Sequence, residues 1–168
     1  YEISACLVGS EMCIRDRLEE VNYMMPEERQ NLIDYLFTEK CSCIIRNRNE
    51  IRVFHERSVK DLYRLLKEES EFLDGAFVAD KVVGKAAAAL MILGGVKEVF
   101  ANVISQPAYK LFGRARVCAE YTLMVPHIIN RSQTDWCPLE RNCANAVSAE
   151  ECLPIIKNFM AEISKCKG

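Results

Sequence analysis

What this chain has little of narrows its possibilities first. Its 168 residues include two histidines and one tryptophan, and lysine and arginine never gather into a run. With 22 basic against 24 acidic side chains the net charge is −2, so the positive footprint of a nucleic-acid or membrane-surface binder is missing. No apolar run has the length of a membrane span, and Ala86–Leu93 falls far short of one. No basic stretch precedes the first apolar residues, so no signal peptide is read. These absences predict a cytoplasmic protein with neither nucleic acid nor membrane as a partner.

Cysteine is not scarce, but its spacing is uninformative for metal or disulfide chemistry. Nine cysteines occur without a single Cys-x-x-Cys pair. Cys41 and Cys43 stand two apart in an expected strand, where they would share a face and could not bridge across it. The expectation is a reduced protein with small buried thiols, and no metal or cofactor is implied.

The first segment reads as foreign. Leu7–Asp16 back-translates in frame into the end of a transposon-type sequencing adapter, so residues 1–17 are set aside as an artefact. The natural start then falls near Leu18 or at Met24 or Met25, and residues 18–168 form one domain of a length that suits a sizeable core.

Along that domain, Pro26 followed by Glu27 and Glu28 opens a helix with the stripe Leu32, Ile33, Leu36 and Phe37. Cys41–Arg46 and Glu50–His55 predict a hairpin around Asn47-Arg48-Asn49. Ser58-x-x-Asp61 resembles a capping box for a helix running to about Glu69. Gly75–Ala79 leads into a central helix, Asp80–Leu93, with Asp80 as N-cap and Gly94-Gly95 as its stop. Strands are expected over Val96–Val103 and Arg116–Thr122. Between them lies a short helix capped by Ser105 with Pro107 in its first turn. Val125–Asp135 is a polar loop, Trp136–Glu140 opens a short helix, and Ser148-x-x-Glu151 caps an amphipathic helix containing Pro154. This order predicts a three-layer α/β/α sandwich with a mixed sheet and parallel middle strands.

Several segments then carry a resemblance. Asp74-Gly75-Ala76 through Gly94–Val99, Val103-Ile104-Ser105-x-Pro107-Ala108, Val125–Arg131 and Cys137-Pro138-Leu139-Glu140 resemble, in order and spacing, the uncharacterised prokaryotic family DUF1893. The resemblance covers roughly Leu32 to Ile163. It implies a cytidine-deaminase-like fold and no established activity. Active zinc deaminases place His or Cys, any residue, then Glu at the start of the central helix, and Pro-Cys-x-x-Cys at the next. Here the first position reads Ala79-Asp80-Lys81 or Asp80-Lys81-Val82, and the second reads Pro107-Ala108-Tyr109-Lys110-Leu111. Neither supplies a zinc ligand, so the resemblance implies a metal-free fold without that chemistry.

Candidate residues cluster around the same segments. Lys81 and Lys85, four apart, would share one helical face near a helix start, a like-charge pairing that calls for an anion. Gly84 would allow close approach of a ligand. Ser105 would add a hydroxyl, and His127, Asn130 and Arg131 would orient a phosphate or carboxylate from the polar loop. The leading expectation is a binder of a small anionic, nucleotide-like molecule through Asp80, Lys81, Gly84, Lys85, Ser105, His127, Asn130 and Arg131. A second is an enzyme using Cys137 at a helix start as nucleophile or redox thiol, with His127 nearby. A third is a non-catalytic interaction or sensor module, a homodimer through the hairpin edge or the carboxy-terminal helix.

Overall fold

The computed structural model describes residues 24–166. The proposed artefact 1–17, with Cys6 and Cys13, lies outside the described residues.

The chain runs α1 (Pro26–Thr38), β1 (Cys43–Asn47), β2 (Glu50–Phe54), α2 (Ser58–Glu68), α3 (Ser70–Leu73), β3 (Phe77–Val83), α4 (Lys85–Leu93), β4 (Glu98–Ser105), α5 (Gln106–Ala115), β5 (Cys118–Val125), α6 (Pro138–Asn142) and α7 (Ala149–Lys165). The strands form one mixed sheet in the order β2-β1-β3-β4-β5. The β1–β2 hairpin is antiparallel and β1 joins β3 antiparallel, while β3, β4 and β5 run parallel.

Alternation along the inner strands separates two cores. Ile45 and Val78 face the larger core, which collects apolar residues from α2 through α7. Ile44, Phe77 and Ala79 face the opposite side, where α1 lays Leu32, Ile33 and Leu36 on the sheet. Because side chains along a strand alternate between faces, β1 is buried at every position and reads as a continuous apolar run broken only near its end. Cys41 and Cys43 do not share a face: Cys41 precedes the strand and packs under α1, while Cys43 faces the other core.

Helix α4 is the centre of the large core. Ala86–Ala89 are all 3% exposed or less, and Leu90 and Met91 are fully buried. A run of alanines costs little rotamer entropy and lets strands and helices approach closely on every side. The helix stops at Gly94, and Gly95 follows at φ 83°, a left-handed conformation in which a Cβ would also meet Asp74 Oδ1 at 2.5 Å.

The central helix is shorter than the sequence predicts, and Phe77–Val83, expected only as an apolar lead and a helix start, is the strand β3 at the middle of the sheet. Asp80, Lys81, Val82 and Val83 are the second half of β3, and the N-cap is Gly84. Asp80 is flanked by Cys43 on one side and Ala101 on the other, so the ladder claims residues that look like a helix start. The β-branched Val82 and Val83 favour that outcome. Lys81 and Lys85 therefore do not share a helical face.

The hairpin, the helices α1, α2, α5 and α7 and the strands β4 and β5 hold with shifted ends. Ser105 caps α5, its Oγ accepting from the Ala108 N–H at 3.3 Å, and Ser148 caps α7 in the same way through Glu151 N–H. Ser58 is not a cap. Arg57 holds the N-cap position of α2, and the Ser58 hydroxyl is engaged elsewhere.

Candidate functional site

The carboxyl ends of β3, β4 and β5 lie side by side because the three strands are parallel. Helices α4 and α5 begin there, and the loop 126–137 follows β5. Of the seven buried polar or charged residues among those described, five stand at this end: Ser58, Asp80, Lys85, Ser105 and Glu140. A core that concentrates its polar groups in one place has built something there.

Asp80 is the first element of that site. It is 1% exposed. Its Oδ1 accepts from Ser58 Oγ at 2.9 Å and from the Val82 N–H at 3.0 Å. Its Oδ2 is buried and has no hydrogen-bond partner among the described residues, and Asp61 Oδ2 shares that condition. Burial raises the Asp80 carboxyl to about 7, against the opposing pull of its backbone and Ser58 hydrogen bonds. Burial also raises Asp61, with Glu56 adding to the effect. Cys43 sits among these groups, its thiol raised well above its ordinary value by burial and then by the charges of Asp80 and Asp61.

The start of α4 is the second element. The Lys85 N–H donates to Glu140 Oε2 at 2.7 Å, so a carboxylate of this chain occupies the helix start. Lys85 Nζ turns the other way and donates to the carbonyls of Ala144 (3.0 Å) and Ala146 (2.5 Å), just past α6. The two residues brace each other's helices: an anion on the N-terminus of α4, a cation on the chain leaving α6. Gly84 permits this closeness. A Cβ there would lie 2.5 Å from Glu140 Oε2 and 3.1 Å from Ile128 Cγ1. Glu140 Oε1 remains buried without a partner among the described residues.

The loop forms the outer wall. Asn130 ties it together, its Oδ1 accepting from Thr134 N–H and from Ser132 Oγ, each at 3.1 Å. His127 stacks on Trp136, with ring centroids 3.9 Å apart. Asp135 accepts from Arg141, whose guanidinium holds its carboxyl below the usual range. Arg131 is exposed. Cys137 is half-buried at the N-cap of α6, and no hydrogen bond joins it to His127.

The predicted residues are thus divided. Asp80, Gly84 and Lys85 belong to the buried cluster, and the loop reaches it through Ile128. Lys81 projects toward α1 and donates from Nζ to the Glu39 carbonyl at 3.2 Å. Ser105 is fully buried and serves as a cap. Ser58 and Glu140 join this cluster, although the sequence does not point to either as a binding residue. Ser58 looks like an ordinary capping residue, and Glu140 stands 55 positions from the amide it meets. Beside Lys85, the buried Cys143 and Cys152 interact, which raises the Cys143 thiol and lowers that of Cys152. Among the described residues, no group of three His, Cys, Asp or Glu side chains is placed to hold a metal ion, and no helix is long and apolar enough to cross a membrane. Two surface depressions lie elsewhere: one of 320 Å³ beside Asn47, Arg52 and Phe72, and one of 400 Å³ beside Asp74, Gly95 and Val117.

These features define an α/β protein with a five-stranded mixed sheet and a polar cluster sealed at the carboxyl end of its parallel strands. The chain belongs to the family described as TM1506, domain of unknown function (DUF1893), whose model matches residues 31–160. Among solved structures it is similar to the crystal structure of a DUF1893 family protein (TM1506) from Thermotoga maritima. That match has 22% identity and a TM-score of 0.72, and covers 82% of this chain and 93% of that one. At that identity the likeness concerns the fold. No curated protein matches the chain.

Proposed function

We propose that this chain binds a small nucleotide-like molecule at the carboxyl end of β3–β5, and that it does so on a cytidine-deaminase-like scaffold without zinc-dependent chemistry. The sheet order and the two helices beginning after β3 and β4 support the scaffold reading. In deaminases those two helix starts carry the metal ligands. Here they read Gly84-Lys85-Ala86-Ala87 and Ser105-Gln106-Pro107-Ala108, which offer no thiolate, imidazole or carboxylate. The starting register is therefore Gly84-Lys85-Ala86, not Ala79-Asp80-Lys81.

One observation carries the binding reading: a buried aspartate keeps an oxygen without a partner among the described residues while its carboxyl is poised near neutrality. An orphaned acceptor of this kind costs roughly 1–3 kcal/mol, and such sites are where function is built. The geometry shifts the weight of recognition from the lysines to the carboxylates. Lys85 is engaged by backbone carbonyls, and Lys81 faces α1. When ionised, Asp80 Oδ2 and Asp61 Oδ2 call for N–H donors, as the edge of an amino-bearing heterocycle supplies. An anionic substituent would meet exposed Arg131 on the loop, and the His127–Trp136 stack offers a flat face to a ring.

The test is thermal denaturation of wild type and Asp80→Asn with nucleobases, nucleosides, nucleotides and inorganic phosphate. A ligand at a hundred times its Kd stabilises by about 2.7 kcal/mol, or roughly 5–10 °C for a chain of this size. The expected result is a shift with a base-bearing ligand that Asp80→Asn loses and that phosphate alone does not reproduce. A shift of equal size in both proteins, or no shift with any base-bearing ligand, refutes the assignment.

A further inference from the structure

The two edges of the sheet are built differently. β2 is five residues long and carries Glu50 and Arg52, which pair with each other at 2.6 Å, while Arg52 also reaches Glu69 at 2.8 Å. A short, charged edge of this kind resists pairing with another strand. β5 has none of these protections. It is eight residues long and contains no lysine, arginine or proline. It pairs in parallel with β4 on its inner side from Cys118 to Val125, with no pair at Thr122. From Ala119 to Val125 its outer side meets no strand among the described residues. Tyr121 is 41% exposed and Leu123 54% exposed, and Tyr109 of α5 packs edge-on against Tyr121 with centroids 5.2 Å apart. The strand's one charge, Glu120, is already met by Arg29 of α1 at 2.9 Å.

We propose that the outer edge of β5 pairs with the same edge of a second copy of this chain, antiparallel about a twofold axis at Thr122, so that two five-stranded sheets become one. The sequence is self-complementary in that register. Thr122 faces Thr122, each Tyr121 faces the other copy's Leu123, and each Glu120 faces Met124. An aromatic–aliphatic pair is thus made twice, and no like charges are opposed. A twofold contact needs this kind of reciprocity, because every residue meets the partner of its own partner. The edge lies apart from Asp80 and from the α4 start, so this assignment stands independently of the ligand reading.

The experiment measures the mass of the full-length chain by light scattering across a hundredfold concentration range, for wild type, Leu123→Lys and Thr122→Cys. Wild type is expected to reach twice the monomer mass. Leu123→Lys, at an exposed position that leaves the core intact, is expected to weaken association by about tenfold or more through unpaired charge at the edge. In a Cys166→Ser background, Thr122→Cys is expected to give a disulfide-linked dimer under mild oxidation that the background alone does not give, while circular dichroism stays unchanged for both variants. A wild type that is monomeric at every concentration overturns the proposal. So does a dimer indifferent to Leu123→Lys, or one in which Thr122→Cys fails to cross-link.

Discussion

Replacing Asp80 with asparagine isolates a single buried charge and turns it into a measurable slope. The carboxyl is fully buried and moves from an ordinary value of 3.8 to about 7 on folding. At about 1.4 kcal/mol for each unit, the difference between its two protonation states amounts to roughly 4 kcal/mol. The direction follows from where the proton sits. Between pH 4 and 7 the folded state holds a proton on Asp80 that the unfolded chain has released. The contribution is therefore complete below about pH 4, declines as the pH rises, and levels off above about 7, where both states are ionised. Urea unfolding of wild type and Asp80→Asn at pH 5, 6, 7 and 8 gives the comparison. The asparagine Oδ1 can still accept from Ser58 and the Val82 N–H, so a constant offset between the proteins is allowed. The expected signature is the slope: between pH 5 and 7, wild type loses stability relative to the variant at up to about 1.4 kcal/mol per pH unit. Asp61 has its carboxyl raised in the same direction, but it is present in both proteins and cancels in the difference. Stability curves that run parallel across this range would refute the buried-carboxyl reasoning, and the binding proposal with it.

The brace between α4 and α6 supplies two further expectations. Gly84→Ala pushes a methyl group against Glu140 Oε2 and Ile128, and is expected to lower stability by about 1–3 kcal/mol in urea unfolding. In the Glu140→Ala background the same change should be far milder, because the obstructing carboxylate is gone; strictly additive losses would count against the contact. Lys85→Met keeps the apolar stem but leaves the Ala144 and Ala146 carbonyls without their donor, with an expected loss of about 1–3 kcal/mol; a variant as stable as wild type would show that water replaces the ammonium.

The mismatch at β3 shows where a linear reading stops. Asp80-Lys81-Val82-Val83-Gly84-Lys85 can be parsed as an acidic N-cap with two cationic residues on the first turns. Nothing local forbids it. What forbids it is β4, which offers partners through Ile104 and so draws the strand onward to Val83. Ser58 fails in the same way. Its spacing to Asp61 fits a capping box, yet its hydroxyl finds a stronger acceptor in a carboxylate 22 residues away. Lys85 was legible as a cation held inward, but the anion at its helix start is Glu140, brought there from the far side of β4, α5 and β5.

The sequence alone decided the β1–β2 hairpin, the helices on either side of it, the alanine helix that must be buried, and the caps at Ser105 and Ser148. These follow from periodicity, local hydrogen bonding and side-chain chemistry, which act over a few residues. Tertiary structure alone decided that Phe77–Val83 is a strand, which way each lysine points, that Asp80 is sealed with an oxygen that has no partner among the described residues, and which two strands form the edges of the sheet. Each of these depends on which distant backbone or carboxylate arrives alongside, and neighbours in space are set by the sheet's strand order rather than by neighbours in the chain.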